Sequence, residues 1–159
     1  KSMKFAFVLL LILSLAFTAE AQTKVDLEKE KAELLKLHEK GRRAHFNTDV
    51  NMLLEGAPDQ FISVSRGKIN RSTPADTRKM FESYFKDAKY FEWDDLEPPI
   101  IRVSADASMA WMIVRTKVRR TQKDSSGAEK EEKFVYAGIM TYEKRNGRWV
   151  RVANVSTFE

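Results

Sequence analysis

From Lys24 to about Phe46 the chain is rich in charged helix formers, and Leu27, Leu34, Leu35, His38 and His45 recur among them at intervals of three, four and seven. That spacing predicts an amphipathic first helix. Gly41 lies inside it at a cost of ~1 kcal/mol relative to alanine, so a close contact there is expected to need the missing side chain. Asn47 or Thr48 can cap a short second helix carrying Val50, Leu53 and Leu54, ended by Gly56 and Pro58. Phe61–Val64 reads as a strand that Arg66-Gly67 turns toward Lys68–Asn70. Thr73-Pro74-x-Asp76 then opens a third helix, with threonine as N-cap, proline in the first turn and an acid at the positive end. Met80, Phe81, Tyr84 and Phe85 are its predicted buried stripe.

The remainder alternates as strands do. Lys89–Ser104 reads as one strand, bent or bulged at Pro98-Pro99 because proline cannot donate to a ladder. Ala107–Arg120 is the next, followed by a polar loop over Gln122–Lys130. Phe134–Tyr142 and Trp149–Phe158 flank Arg145-Asn146-Gly147-Arg148, and Asn-Gly between β-patterned runs is the strongest short-range hairpin signal. Helices first and long strands last predict an α+β domain in which a curved sheet wraps over a helix and leaves a pocket between them.

Both sheet faces carry apolar residues. On Ala107–Arg120 one face holds Ala110, Met112, Val114 and Val118, and the other holds Trp111 and Ile113. On the next strand Val135, Ala137 and Ile139 oppose Phe134, Tyr136, Met140 and Tyr142. A sheet with one wet side alternates cleanly, and this one does not. Three helices can cover one face only, so a second copy of the same sheet is expected on the other. Such a contact would bury on the order of 800 Å² per partner. The expectation is a homodimer through the outer sheet face.

Composition adds an address. Lys4, the apolar run Phe5–Phe17 and Ala19-Glu20-Ala21 read as a signal peptide over residues 1–21, cleaved after Ala21 to start the product at Gln22. The run is shorter than the ~20 apolar residues that span a bilayer, so no stable membrane anchor is expected. The expected localisation is periplasmic or secreted. The chain has no cysteine, so packing alone must stabilise residues 22–159, one domain in length. Removing Lys1, Lys4 and Glu20 takes the formal charge from +5 to +4. Acids and bases are interspersed, which argues against the clustered basic face that nucleic acid requires.

Leu34-Leu35, Asp49-Val50-x-x-Leu53-Leu54, Asp59-Gln60-Phe61-Ile62 and Ser65-Arg66-Gly67-Lys68 stand in this order, followed by Glu92-Trp93-Asp94-Asp95 with Pro98-Pro99, and by Arg148-Trp149. With these motifs the chain resembles the nuclear-transport-factor-2-like superfamily, in particular its SnoaL-like group and small bacterial proteins of unknown function. The resemblance implies a cystatin-like, cone-shaped antiparallel sheet wrapped around the N-terminal helix, with three helices and a hydrophobic pocket at the open end. It also implies functions from isomerase, cyclase and dehydratase to non-catalytic assembly. Catalytic relatives place Asp, His or Tyr inside the cone. The final strand, where some carry histidines, reads Val152-Ala153-Asn154-Val155 here.

Candidate chemistry is sparse. His38 and His45 share a helix face but lie ~10 Å apart along its axis, too far for one metal, and no metal or cofactor is expected. His45 is the candidate acid–base group, against a packing role as a half-buried histidine hydrogen-bonded to backbone. Trp93, Trp111, Tyr136 and Tyr142 combine a flat apolar face with a polar atom and suit an apolar or aromatic ligand, and His38, His45 and Asn154 complete the candidate ligand-binding residues; in an enzyme, a tyrosine or Asn154 would donate a hydrogen bond. Core packing and the dimer interface explain the same aromatic residues. Asp94 and Asp95 are strand neighbours that point to opposite faces, so at most one reaches the cavity, and solvation is the expected role of both. Arg115, Lys117 and Arg119 form a basic stripe that Glu131 and Glu132 can neutralise. The expected function is an exported small-molecule-binding domain. The alternatives are an isomerase, cyclase or dehydratase using His45, and a protein-assembly module.

Overall fold

The computed structural model describes residues 25–159, so the expected signal peptide over residues 1–21 lies outside the described residues. Three helices precede most of a seven-stranded sheet: α1 (Leu27–Phe46), α2 (Val50–Leu54), β1 (Phe61–Ser65), β2 (Lys68–Ser72), α3 (Pro74–Phe85), β3 (Lys89–Asp95), β4 (Ile100–Val103), β5 (Met109–Lys123), β6 (Glu129–Arg145) and β7 (Arg148–Phe158). The strand order is β2-β1-β7-β6-β5-β3, with β4 also on β5, and the curved sheet does not close. It is not wholly antiparallel, because β1 runs parallel to β7. A parallel neighbour needs a long crossover rather than a tight turn.

Local signals place most element ends. Asp26 caps α1 by accepting from Lys29 N, and Thr73 with Asp76 forms a reciprocal capping box on α3 behind Pro74. The cap of α2 is Asp49, one residue beyond the expected Asn47 or Thr48, because its carboxylate reaches Met52 N at 2.9 Å. Asn146 and Gly147 both have positive φ, as do Arg66 and Gly67, and each pair closes a two-residue hairpin. The expected Lys89–Ser104 strand is two strands, β3 and β4. Leu96–Pro99 breaks the ladder, and both pieces pair with the same edge of β5. The expected loop over Gln122–Lys130 is shorter, since β5 and β6 stay paired as far as Lys123 and Glu129.

The core lies between α1 and the inner sheet face. Leu34 of α1 packs with Met112, Val114, Met140, Tyr142 and Trp149, and a second cluster joins Phe85 to Tyr90, Trp93 and Val118. On β5 the inner residues Ala110, Met112, Val114, Thr116, Val118 and Arg120 are all buried. Three positions of the expected helical stripes are not core: Leu27 is 36%, Leu35 41% and Met80 53% exposed. The buried residues of those helices are Leu34 and Ala44 on α1 and Thr77 and Phe85 on α3.

The outer face carries an aliphatic row that crosses six strands in register. Ile69 pairs with Val64, Val64 with Val155, Val155 with Ile139, Ile139 with Ile113, and Ile113 with Ile100. Ile69, Ile100, Ile113 and Val155 are exposed. Beside them the basic stripe is neutralised, chiefly by Glu92, which takes Lys117 at 2.9 Å and Arg119 at 3.2 Å. Glu131 also reaches Arg119. Glu132 instead turns inward to Arg120.

Candidate functional site

A cleft of about 100 Å³ opens where α1, α2, α3 and the β6–β7 hairpin meet. Leu37, Met52, Leu53, Phe81, Tyr142 and Trp149 supply its apolar walls, and Lys40, Glu55 and Arg151 its charges. The Lys40 ammonium is hydrogen-bonded to Glu55. Gly41 lines the same cleft, and a Cβ built on it would meet nothing within 4 Å. No close packing demands this glycine, contrary to the expectation from its position in the helix. Its missing side chain leaves room in the cleft.

Behind Gly41 and Phe81 sits His45. Its imidazole stacks on Trp93 at 3.7 Å and 24°, and the rings of Phe85, Tyr90, Tyr84 and Phe81 meet it edge-on at 5.3–6.5 Å. Nδ1–H donates to the Gly41 carbonyl at 2.7 Å, one helical turn back. Burial pushes the imidazole pKa down to about 4, the hydrogen bond to Gly41 opposes this, and the charges of Arg151 and Arg120 add to it. At neutral pH His45 is therefore uncharged, with Nε2 alone left as an acceptor.

His38 lies one helical turn from Leu34 and takes a different partner. Its Nε2–H donates to Asp95 Oδ2 at 2.6 Å, and Thr116 Oγ1 donates to Asp95 Oδ1 at 3.0 Å. Thr116 is fully buried and faces Tyr136 across the β5–β6 pair. The Asp94-Asp95 pair divides between the two faces as strand geometry requires. Asp94 meets Arg42 at 2.6 Å near the surface, while Asp95 anchors α1 from inside. Asp95 thus has a structural partner rather than the expected solvated role.

Arg120 is the buried cation of the second cluster. Its Nε and Nη2 lie 2.8 and 2.7 Å from Glu132 Oε2, its Nη1 donates to the Tyr90 hydroxyl at 3.0 Å, and its guanidinium sits 4.3 Å over the Tyr84 ring. Burial raises the Tyr90 hydroxyl pKa, so that oxygen stays protonated.

Arg151 reaches the interior by a different route. Pairing runs Thr141 to Ala153 and then Tyr142 to Arg151, which leaves Val152 as the extra residue of a β-bulge. Strict alternation from the inward Asn154 would send Arg151 and Trp149 outward. The bulge reverses both, so that Trp149 is buried and Arg151 lines the cleft. The Arg151 guanidinium lies 5.4 Å from the Phe61 ring and 3.9 Å from the Met140 sulfur.

Of the candidate ligand residues, the fold brings His45, Trp93 and Tyr136 together, with Tyr136 5.7 Å from Trp93. Tyr142 lines the cleft itself. His38 is committed to Asp95. Trp111 is not brought to this group, because it stands on the outer face in register with Arg102 and Thr141. Asn154 faces inward, its Oδ1 buried with no hydrogen-bond partner among the described residues. No group of three or more His, Asp or Glu side chains that could hold a metal ion occurs among the described residues. Arg151 escaped sequence reasoning because alternation predicts it outside, and a bulge without glycine or proline leaves no compositional mark.

No protein-family model matches this chain, and no curated protein does. Solved structures do match. An NTF2-like protein from Cytophaga hutchinsonii superposes with a TM-score of 0.64 at 15% identity, over 80% of this chain and 97% of that one. A ketosteroid isomerase-like protein from Erwinia carotovora atroseptica gives 0.62 at 16%, over 82% and 96%. The association domain of C. elegans CaMKII gives 0.56 at 12%, again over 82% and 96%. The fold is therefore the nuclear-transport-factor-2-like, cystatin-like α+β fold. Likeness at these identities defines the fold and leaves the activity to the site.

Proposed function

We propose that this protein is an exported, homodimeric domain that binds a small apolar molecule in the cleft between its helices and the β6–β7 hairpin. The observation that carries the reading is the apolar wall of Leu37, Phe81, Tyr142 and Trp149 around open space. At about 100 Å³ the cleft is well under the ~300–1,000 Å³ typical of drug-sized ligands, so the ligand is compact. An acid–base reaction through His45 has less support, since its Nδ1–H is spent on Gly41 and its basicity is low. The assembly alternative gains support from the outer aliphatic row, and homodimerisation accommodates that row without excluding a ligand.

The test is titration with a neutral compact probe, isobutyramide, followed through the Trp149 indole N–H resonance. Saturable shifts in the wild type, lost in Gly41→Leu, are expected. Absence of saturable shifts both with this probe and with a charged probe of the same shape would reject the reading. Export is tested separately, by mass spectrometry of the secreted chain, whose N-terminus is expected at Gln22.

A further inference from the structure

We infer that the cleft selects an anion, a small carboxylate whose charged end is held by Arg151 and whose apolar body lies against the aromatic wall. This rests on the small-molecule reading above and names the chemistry of its ligand. The first observation is the bulge at Val152. It breaks the β6–β7 register at one point, and its effect is to turn a guanidinium from the solvent face into the cone. Bulges next to functional sites commonly re-aim a side chain in this way.

The second observation is what Arg151 meets there. A guanidinium offers five N–H donors in a planar fork matched to carboxylate geometry. Among the described residues Arg151 has no carboxylate within salt-bridge distance. Its contacts are an aromatic face and a thioether sulfur, which is a weak acceptor. The other interior arginine, Arg120, shows what a satisfied one looks like in this fold, with Glu132 and the Tyr90 hydroxyl as partners. Arg151 is half-buried, and a cation partly withdrawn from water without an anion carries a desolvation cost that a carboxylate would offset.

The surroundings agree in sign. Among the described residues Glu55 is the only carboxylate lining the cleft, it is largely exposed at the rim, and Lys40 already neutralises it. Arg151 is therefore the uncompensated charge. Tyr142 stands beside it as its register partner, and Trp149 precedes it on the same inward face. A carboxylate on Arg151 would place a short hydrocarbon tail against those two rings. The size of the cleft limits that tail, since a cavity of ~150 Å³ is what accommodates benzene.

The test compares two probes of one shape at pH 7, isobutyrate and the neutral isobutyramide, by titration of the full chain. Isobutyrate is expected to bind at least about tenfold more tightly, the scale of a charge-assisted hydrogen bond. Arg151→Gln should bring the ratio close to one while isobutyramide binding persists. Arg151→Lys should keep a preference for the anion but reduce it, because the ammonium lacks the fork. Arg102→Gln on the outer face should change nothing, which excludes a general effect of net charge. Equal affinity of the wild type for the two probes would overturn the anion assignment and leave the small-molecule reading standing. Failure of both probes would overturn the two together. Should Arg151→Gln not fold, the wild-type ratio and Arg151→Lys decide the matter.

Discussion

His38 on the first helix and Asp95 at the end of β3 are joined by a 2.6 Å hydrogen bond inside the cone. Asp95 also accepts from the buried Thr116, so one carboxylate ties α1, β3 and β5. Asp95→Asn leaves the three groups imperfectly matched, and a loss of about 1–3 kcal/mol in unfolding free energy is expected from urea denaturation. A double-mutant cycle with Thr116→Val should give a coupling of at least about 0.5 kcal/mol. Simple additivity would mean that the Asp95–Thr116 contact contributes nothing to stability.

His45 makes stability depend on pH. Its folded pKa is about 4 against an ordinary 6.5, so between those values the unfolded chain binds a proton that the folded chain does not. Stability contributed by the neutral ring is therefore complete above about pH 6.5 and is lost as pH falls toward 4, amounting to roughly 3 kcal/mol at most. Glu30 and Asp106 also have lowered pKa values, Glu30 chiefly from its hydrogen bond with Lys144 and Asp106 from Ser104 and Ser108. Their contributions disappear only below their ordinary values of 4.5 and 3.8. The window from pH 5 to 6.5 therefore isolates the histidine. Chemical denaturation of His45→Phe should show a flatter profile there than the wild type.

Two glycines should respond oppositely to alanine. At Gly41 a methyl meets nothing within 4 Å and replaces a poor helix former, so a gain of up to about 1 kcal/mol is expected. The same methyl intrudes on the cleft, and weaker isobutyramide binding should accompany the higher melting temperature. At Gly138 a Cβ would sit 2.8 Å from the Val155 carbonyl oxygen, backbone that cannot swing aside. Gly138→Ala should cost about 1–3 kcal/mol, the usual scale of overpacking. Calorimetry on the pair checks both signs.

These contrasts mark what the sequence could carry. Asn146-Gly147 and Thr73-Pro74-x-Asp76 announce their turns because the residues that bond lie within three positions of each other. The helices and the long strands were legible on that basis, and the nuclear-transport-factor-2-like fold was legible through the resemblance carried by the motifs from Leu34-Leu35 to Arg148-Trp149. His38 and Asp95 were separately visible, yet nothing local says that they meet, since their contact depends on how β3 lies over α1. Periodicity also overcounts: Leu35 and Met80 fit their helical stripes but fall at the rim, while Ala44 and Thr77 are buried. The candidate site was legible in part. Tyr142 was read as a pocket residue and lines the cleft, whereas Arg151 depends on a bulge that alternation cannot see.

The outer row gives a test of assembly. Ile113 lies one place from its β4 end, flanked by Ile139 and Ile100, and is 37% exposed. If two copies pack sheet to sheet, Ile113→Lys puts like charges into the contact. Light scattering should then report a monomer where the wild type is a dimer. Its inward neighbours Met112 and Val114 are untouched, so circular dichroism should be unchanged. A wild-type chain that is monomeric at high concentration would reject the dimer.

The parallel pairing of β1 with β7 sets an order of events in time. β1 and β2 are made early and form a lone hairpin, which is marginal in water by itself. Their lasting neighbour is β7, synthesised after all the other described strands, and contacts so distant along the chain form slowly. A polypeptide halted before Trp149 lacks that strand and the indole that docks on Glu30 of the first helix. Native topology thus waits for β7 to leave the ribosome, and until then the newborn polymer stays open to chaperones and proteases.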